Sequence, residues 1–193
     1  MAQDFKPVAA DEARQIVVRI ETTSQAMESF ECAFTETKEI AVLNGQQISE
    51  GMMYYKRADK LRWEYSTPSR FVFVCNGERT MVDNGAAVDR GTGGMNMVFR
   101  EVGRMVLACI NGRQLTDPSR FTAAYYTDGN SIKVELTPRN RRMLQMMSSM
   151  SMLFSMKDYS IEKIVISRNG DKSVIEMKEK KVNGALDEAL FTL

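Results

Sequence analysis

The sequence contains no histidine. Histidine is the usual general base near neutral pH and the commonest metal ligand, so its absence excludes Ser-His-Asp and Cys-His catalytic sites and histidine-based metal sites. Phosphate-binding loops, dinucleotide-binding glycine fingerprints and serine elbows are absent too. Catalysis would have to use carboxylate, lysine or tyrosine groups alone. We therefore expect a protein that is not an enzyme and needs no cofactor or metal.

Paired cysteines, net charge and long apolar runs are also lacking. Cys32, Cys75 and Cys109 lie far apart, so we expect buried apolar thiols, with a Cys32–Cys75 disulfide as the alternative. Lys and Arg total 26 against 25 Asp and Glu, which leaves no field to attract nucleic acid. No apolar run approaches the roughly 20 residues that a spanning helix needs.

The start of the chain predicts a helix followed by a sheet. An amphipathic helix is predicted from Asp11, as N-cap, to about Phe30. From Ser29 onward, Phe30, Cys32 and Phe34 alternate with more polar residues, which is the period of a half-buried strand. Tight hairpin turns are then predicted at Asn44-Gly45, Asn76-Gly77, Asn84-Gly85 and Asp128-Gly129.

A second helix is predicted between residues 95 and 110. Two apolar rows at helical spacing indicate that this helix either packs in the core or covers a cavity. The rows are Val98, Val102, Met105 and Cys109, and Phe99, Val106 and Ile110.

Six of the 15 methionines fall between residues 143 and 156, where periodicity does not decide between helix and strand. A short basic helix over 139–147 followed by a strand over 149–156 is one reading. A final hairpin is predicted around Asn169-Gly170. Because no linker, repeat or low-complexity tract divides residues 1–193, we predict a single α+β domain dominated by antiparallel sheet.

Four segments resemble the outer-membrane lipoprotein carrier family LolA. Residues 29–36, SFECAFTE, resemble the family's SFxAxFxQ pattern, and Gly51, Lys56-Arg57 and Trp63 are spaced as in its G…KRP…W signature. Leu136-Thr137-Pro138 matches the family's LTP, and residues 183–191 are similar to its closing NxxxDxxxF element. The resemblance runs from the first helix to the C-terminus.

The resemblance implies an unclosed half-barrel with helices covering its concave apolar face, where acyl chains lie between sheet and lid. Arg57 matches the arginine that holds the lid closed by hydrogen bonds to lid backbone carbonyls, which suits its five donors. The alternative is an exposed strand arginine paired with a carboxylate. The cavity-wall candidates, which could equally be plain core, are Leu61, Trp63, Tyr65, Phe71 and Phe73. The lid candidates are Val98, Phe99, Val102, Met105 and Val106.

The function that the resemblance implies is that of a periplasmic carrier, secreted by a removed N-terminal signal peptide. It would bind acylated lipoproteins and shuttle them from the inner to the outer membrane. The implied partners are an inner-membrane release complex and an outer-membrane acceptor, and we expect a monomer. The alternative function is a lipid- or glycolipid-binding sensor of the same fold with a regulatory role; an enzyme is a more remote third reading.

Overall fold

The computed structural model describes residues 4–41, 45–90, 106–107, 110 and 119–193. The described helices are α1, Ala10–Gln25, and α2, Arg141–Met146, and a short 3₁₀ helix covers Glu188–Phe191. The strands are β1 Lys6–Pro7, β2 Ser29–Ile40, β3 Gly45–Lys56, β4 Lys60–Thr67, β5 Phe71–Asn76, β6 Arg79–Asp83, β7 Val88–Asp89, β8 Phe121–Thr127, β9 Ser131–Pro138, β10 Ser149–Ser155, β11 Ile161–Arg168 and β12 Asp171–Val182.

These strands form one hydrogen-bonded sheet in the order β1-β8-β9-β10-β11-β12-β2-β3-β4-β5-β6-β7. Because β1 and β7 lie at its two ends, the sheet is not closed. The hairpin registers, such as β4 with β5 and β11 with β12, are antiparallel. The predicted α+β class with a mainly antiparallel, unclosed sheet is therefore confirmed.

The turn residues act as the sequence predicts in three of the four early hairpins. Gly77, Gly85 and Gly129 have positive φ angles of 60°, 83° and 90°, which side-chain-bearing residues rarely adopt. The fourth turn falls largely outside the described residues, and its Gly45 is the first residue of β3. Asn169 and Gly170 also have positive φ and join β11 to β12, as predicted.

Helix α1 begins and ends earlier than predicted. Its N-cap is Ala9, whose carbonyl accepts the Ala13 N–H at 2.8 Å, so the assignment of Asp11 as N-cap was wrong. Asp11 lies in the first turn instead, where the helix dipole favours a carboxylate. The helix stops at Gln25 because Phe30 belongs to β2, where sheet pairing and burial outweigh helical spacing.

The methionine-rich stretch is divided between a helix and a strand. The Asn140 side chain accepts the Met143 N–H at 2.8 Å and so caps α2, which is six residues long. Strand β10 then alternates buried and half-buried residues. Met150 and Met152 lie on its buried side, opposite Leu136 and Val134 of β9.

The chain divides into two compact units. The first comprises Met1–Ala26, Glu36–Gln47 and Ile110–Glu176. Its core combines one face of β9, β10 and β11 with the buried side of α1. The most deeply buried side chains of this unit include Ile20, Ile132, Leu136, Met150, Met152 and Ile164.

The second unit comprises Met27–Thr35, Ile48–Cys109 and Met177–Leu193. Both faces of its strands β4 and β5 are covered. One face carries aromatic side chains, and the other carries a small cluster of Val72, Val74 and Met81, against which Leu193 packs.

The C-terminal segment is bound to β4 and β5 by hydrogen bonds that its backbone carbonyls accept. Arg62 Nη1 donates to the Leu190 carbonyl at 3.3 Å, and Asn76 Nδ2 donates to the Phe191 carbonyl at 3.3 Å. Glu188 is held by Lys56 and Lys60, whose hydrogen bonds lower the pKa of its carboxyl to about 2. The closing segment is therefore fixed by both hydrogen bonds and charge.

Cys32 and Cys75 are free and buried, so the alternative of a disulfide between them is wrong. Burial raises the pKa of the Cys32 thiol to about 12, which keeps it protonated and unreactive. Cys109 lies outside the described residues.

Gly51 of the family signature is needed because its backbone lies against a neighbouring strand and a ring. A Cβ here would clash with the Glu64 carbonyl oxygen and lie 2.7 Å from Phe34 Cζ. We predict that Gly51→Ala lowers the free energy of unfolding by about 3 kcal/mol, because rigid backbone cannot yield to the added methyl group. Urea unfolding measures this. Gly184→Ala is the control, because nothing lies within 4 Å of its would-be Cβ; equal losses in both variants would contradict the steric explanation.

Candidate functional site: an apolar groove beside helix α1

An apolar groove with a volume of about 740 Å³ lies in the first unit, between α1 and the β1–β8 edge of the sheet. Its walls carry alanines on both sides, two on the helix and two on the strand. Small side chains in a wall leave volume that larger ones would fill. The lining residues are Pro7, Val8, Ala10, Ala13, Arg14, Val17, Val18, Glu21, Ala123, Ala124, Tyr125 and Tyr126.

The helical repeat of α1 produces one wall of the groove. Ala10, Ala13, Val17 and Glu21 are spaced three or four residues apart and therefore share one side of the helix. Val18 extends this wall and is 59% exposed.

Strands β1 and β8 form the other wall. Only Lys6 and Pro7 of β1 pair with β8. The Val8 N–H then donates to the Tyr125 carbonyl at 2.9 Å, which fixes the N-terminal segment at this edge. Because the pairing is so short, Ala123 and Ala124 have no partner residue in β1, and both line the groove.

The polar side chains that line the groove include Arg14, Glu21 and Tyr125. Burial, with a smaller contribution from the charge of Glu21, raises the pKa of the Tyr125 phenol above its ordinary value. The phenol is therefore neutral at physiological pH. Arg14 forms an ion pair with Asp11 one helical turn earlier. Such a lining suits a ligand with a long apolar part and little charge.

The five predicted wall residues lie in the second unit, on the aromatic face of β4 and β5. Leu61, Trp63 and Phe73 are buried, whereas Tyr65 and Phe71 are half-buried. Trp63 lies opposite Met53 of β3 and Phe73 of β5 in the register, so the alternation predicted from sequence is present. None of the five lines the groove beside α1. Their role as an acyl-chain wall stays a prediction.

Phe34 joins this face from β2 and completes an aromatic cluster. Its ring centroid lies 5.1 Å from that of Trp63 and 5.0 Å from that of Tyr65. Tyr65 in turn contacts Phe71 at 6.0 Å between centroids. Within the described residues, Trp63 Nε1 is the buried side-chain nitrogen without a hydrogen-bond partner. The cluster thus carries one unused donor, which costs about 1–3 kcal/mol when unpaired.

Arg57 binds the segment that joins α1 to β2. Its Nη2 donates to the Met27 carbonyl at 3.2 Å, and its Nε pairs with the Glu28 carboxylate at 3.1 Å. Its backbone N–H donates to the Glu28 carbonyl at 2.9 Å. The carboxylate pair agrees with the alternative reading of the sequence, and the carbonyl that Arg57 contacts belongs to Met27, which is not one of the predicted lid residues. Whether it acts as a gate stays a prediction.

Asn183 clamps the same segment, a role that sequence reasoning missed. Its Oδ1 accepts the Glu28 N–H at 2.7 Å, and its own N–H donates to the Ser29 carbonyl at 2.9 Å. Ser29 Oγ donates to the Gly184 carbonyl at 2.6 Å. Asn183 has a φ of 58°, a conformation that asparagine tolerates better than most residues. Its place at the head of the NxxxDxxxF element was the available signal.

Most of the predicted lid lies outside the described residues, including Val98, Phe99, Val102 and Met105. Val106 is described: its backbone is helical and its side chain is 5% exposed.

The groove itself was not predicted. Two signals were available in the sequence. One is the pair Val17-Val18 in the predicted helix, where Val18 lies outside the apolar stripe, and the other is the Ala123-Ala124 pair in a strand. Neither signal identifies a groove unless the helix and the strand are known to be neighbours.

The described residues contain no candidate metal-binding group and no candidate membrane-spanning helix. No group of three acidic or cysteine side chains in the described ranges could hold a metal ion. Across those same ranges, every helix is too short or too polar to cross a bilayer.

The strand order and the helix beside the sheet define an open, antiparallel α+β fold. The family model for the outer membrane lipoprotein carrier protein LolA matches residues 25–193, and the chain belongs to that family. None of the curated proteins compared with the chain matches it significantly.

Solved structures share the fold at low sequence identity. MucB has a TM-score of 0.55 at 14% identity, with 97% of this chain and 64% of MucB covered. The Mycobacterium tuberculosis lipoprotein LppX has a TM-score of 0.53 at 11% identity, with 93% and 99% covered. A complex of MucB with MucA(peri) has a TM-score of 0.51 at 15% identity, with 94% and 59% covered.

Proposed function

We propose that this chain is a non-catalytic carrier that shields the acyl chains of lipoproteins, or of other lipids, from water. The observation that carries the proposal is the apolar groove of about 740 Å³ beside α1, in a member of the LolA family. This volume falls within the roughly 300–1,000 Å³ of ligand sites in proteins. The groove offers apolar contact on both walls and little charge at its centre.

A carrier has to release its cargo, so the net free energy of binding must be small. Hiding a 16-carbon chain is worth about 12 kcal/mol at roughly 0.8 kcal/mol per methylene. An empty carrier that gains internal contacts recovers part of this free energy. In our proposal, loading separates helices from the sheet and delivery is driven by their return.

Arg57 is the proposed gate of this cycle. Its bonds to the Met27 carbonyl and the Glu28 carboxylate hold the segment directly after α1. A planar guanidinium with several donors can make or lose such bonds together. We propose that these contacts form in the empty protein and weaken when cargo enters.

The cellular setting follows from the family and is part of the proposal. A carrier of outer-membrane lipoproteins would work in the periplasm as a monomer, after secretion and loss of a signal peptide. It would take cargo from an inner-membrane release complex and pass it to an outer-membrane acceptor. The description of the family supports this setting.

A second candidate function is a lipid sensor that passes a signal to a protein partner. The observation that favours it is the likeness of this fold to MucB, which has been solved in complex with MucA(peri). The two functions share the apolar site and differ in the partner. Purified protein can separate them: co-purifying acylated peptides favour the carrier, whereas free lipid or glycolipid favours the sensor.

Val18 allows the groove to be tested without disturbing the core. We predict that Val18→Glu weakens binding of 11-(dansylamino)undecanoic acid at least about tenfold, because a charge beside the acyl chain must be desolvated. Fluorescence titration measures this. Ile48→Glu is the matched control, because Ile48 is a β-branched residue of the same exposure, 58% against 59%, outside the groove. Equal affinity of the two variants would exclude the groove as the acyl site.

Trp63 is the single tryptophan and therefore reports on the predicted aromatic wall. Because Trp63 does not line the groove beside α1, we propose the aromatic face as a second surface for acyl chains. We predict that 9,10-dibromostearic acid quenches the fluorescence of Trp63, because bromine quenches an indole that it contacts. Stearic acid, which lacks bromine, is the control. Displacement of the dansyl probe by dibromostearate without quenching of Trp63 would show that the acyl chain does not reach the predicted wall.

Arg57→Leu separates holding from delivery. We predict that this variant retains a palmitoylated peptide but transfers it to phospholipid vesicles several-fold more slowly, because closing no longer gains the Met27 and Glu28 contacts. Transfer is followed by a fluorophore on the peptide. Arg70→Leu is the control, since Arg70 is an exposed arginine paired with Asp83 at 2.6 Å. Transfer at the wild-type rate by Arg57→Leu would remove the gate from the proposal.

A further inference from the structure

Tyr159 holds a strained backbone conformation in the turn between β10 and β11. Its φ is 56°, in the left-handed region where an aromatic residue is a genuine outlier. Glycine or asparagine would adopt this conformation at lower cost. A side chain kept at such a position points to a use for that side chain.

The turn is built to hold Tyr159 in place. The Tyr159 N–H donates to the Ser155 carbonyl at 2.9 Å, and the Ser155 N–H donates to the Ser160 carbonyl at 3.0 Å. Asp158 accepts both the Ser160 N–H at 3.0 Å and the Ser160 hydroxyl at 2.7 Å. These bonds surround the strained residue and over-determine its backbone.

The side chain so positioned contacts Arg19 of α1. Arg19 Nη1 donates to the Tyr159 hydroxyl at 2.6 Å, and the guanidinium carbon lies 5.7 Å from the centroid of the Tyr159 ring. A hydrogen bond and a cation–π contact therefore join the same two side chains. Both residues belong to the first unit, which also contains the groove.

Arg19 projects from α1 on the side opposite the groove. At about 100° per residue, it lies roughly half a turn from Val17, which lines the groove. The apolar side of α1, with Ile16 and Ile20 buried, lies between them. One flank of the helix thus carries the Arg19–Tyr159 contact, while the opposite flank lines the groove with Ala13 and Val17.

We propose that Tyr159 is a positioning residue for α1: it fixes the flank that carries Arg19, so that the helix pivots there and the groove opens and closes on its β8 side. The inference deepens the proposed function, because it rests on the groove as the acyl site. In this arrangement, the pivot keeps the wall formed by Ala13 and Val17 facing β8 while cargo enters and leaves.

The test measures the helix and the ligand separately. Hydrogen exchange of the α1 amides is followed by mass spectrometry in the full chain without ligand, and release of 11-(dansylamino)undecanoic acid is followed by stopped flow. Tyr159→Phe removes a single oxygen atom and keeps the ring. Arg19→Gln removes the charge, and Arg19→Lys keeps a charge and a donor. Lys157→Gln, an exposed neighbour in the same turn, is the control.

We expect Tyr159→Phe and Arg19→Gln each to accelerate exchange in α1 about threefold, the effect of losing one solvent-exposed hydrogen bond to a charged group. Exchange in β9 and β10 should not change. Release of the dansyl acid should accelerate in the same two variants, and Arg19→Lys should restore part of both effects. The double variant should not exceed either single one, because the two residues share one interaction.

The outcomes separate the inference from the proposed function. Unchanged α1 exchange in Tyr159→Phe overturns the positioning role. Faster exchange with an unchanged release rate limits Tyr159 to a structural role and also overturns it. If the wild-type chain binds no dansyl acid although α1 exchange responds, the helix is tethered as described, but the groove is not an acyl site and the proposed function fails.

Discussion

The constraint on which the first unit depends is the need to cover one apolar face of an antiparallel sheet. Alternation places Ile132, Val134 and Leu136 on the same side of β9, where each is fully buried. Helix α1 contributes its own apolar stripe to this core and is flanked by β8. A groove lined in part by alanines of α1 and β8 lies where this cover is incomplete. A carrier requires such a defect, because a perfectly packed core has no room for cargo.

The segment between α1 and β2 is bound by side-chain and backbone hydrogen bonds from two other parts of the chain. Arg57 and Asn183 bind Met27, Glu28 and Ser29 through side chains and backbone together. Two family motifs, distant in sequence, therefore meet on three consecutive residues. This convergence gives the motif residues a physical meaning: they fix the point at which the helix becomes a strand.

The second unit carries a different apolar surface. Phe34, Trp63 and Tyr65 fill space against one another, and Gly51 lets the Phe34 ring approach β3. This aromatic face is filled by its own rings, whereas the first unit has an open groove. The indole N–H of Trp63 is buried without a hydrogen-bond partner, which makes this face less stable than a core whose polar groups are all satisfied. Each unit thus offers one surface suited to apolar cargo.

The sequence by itself determined the features that rest on local chemistry. Alternation gave the aromatic face of β4, the Asn-Gly and Asp-Gly pairs gave the turns at Gly77, Gly85 and Gly129, and the absence of histidine excluded whole classes of site. The motifs of residues 29–36, 51–63 and 183–191 indicated the family, because a family resemblance is read from residue types and their spacing along the chain.

Tertiary structure decided everything that depends on which elements become neighbours. It ended α1 at Gln25, buried Cys32 and Cys75 without a disulfide between them, and brought the alanines of α1 and β8 together around an open volume. It also set Tyr159 against Arg19, 140 residues away along the chain. No local pattern encodes such pairs. A groove is defined by side chains that do not fill the space between two elements, and only the fold establishes which two elements share that space.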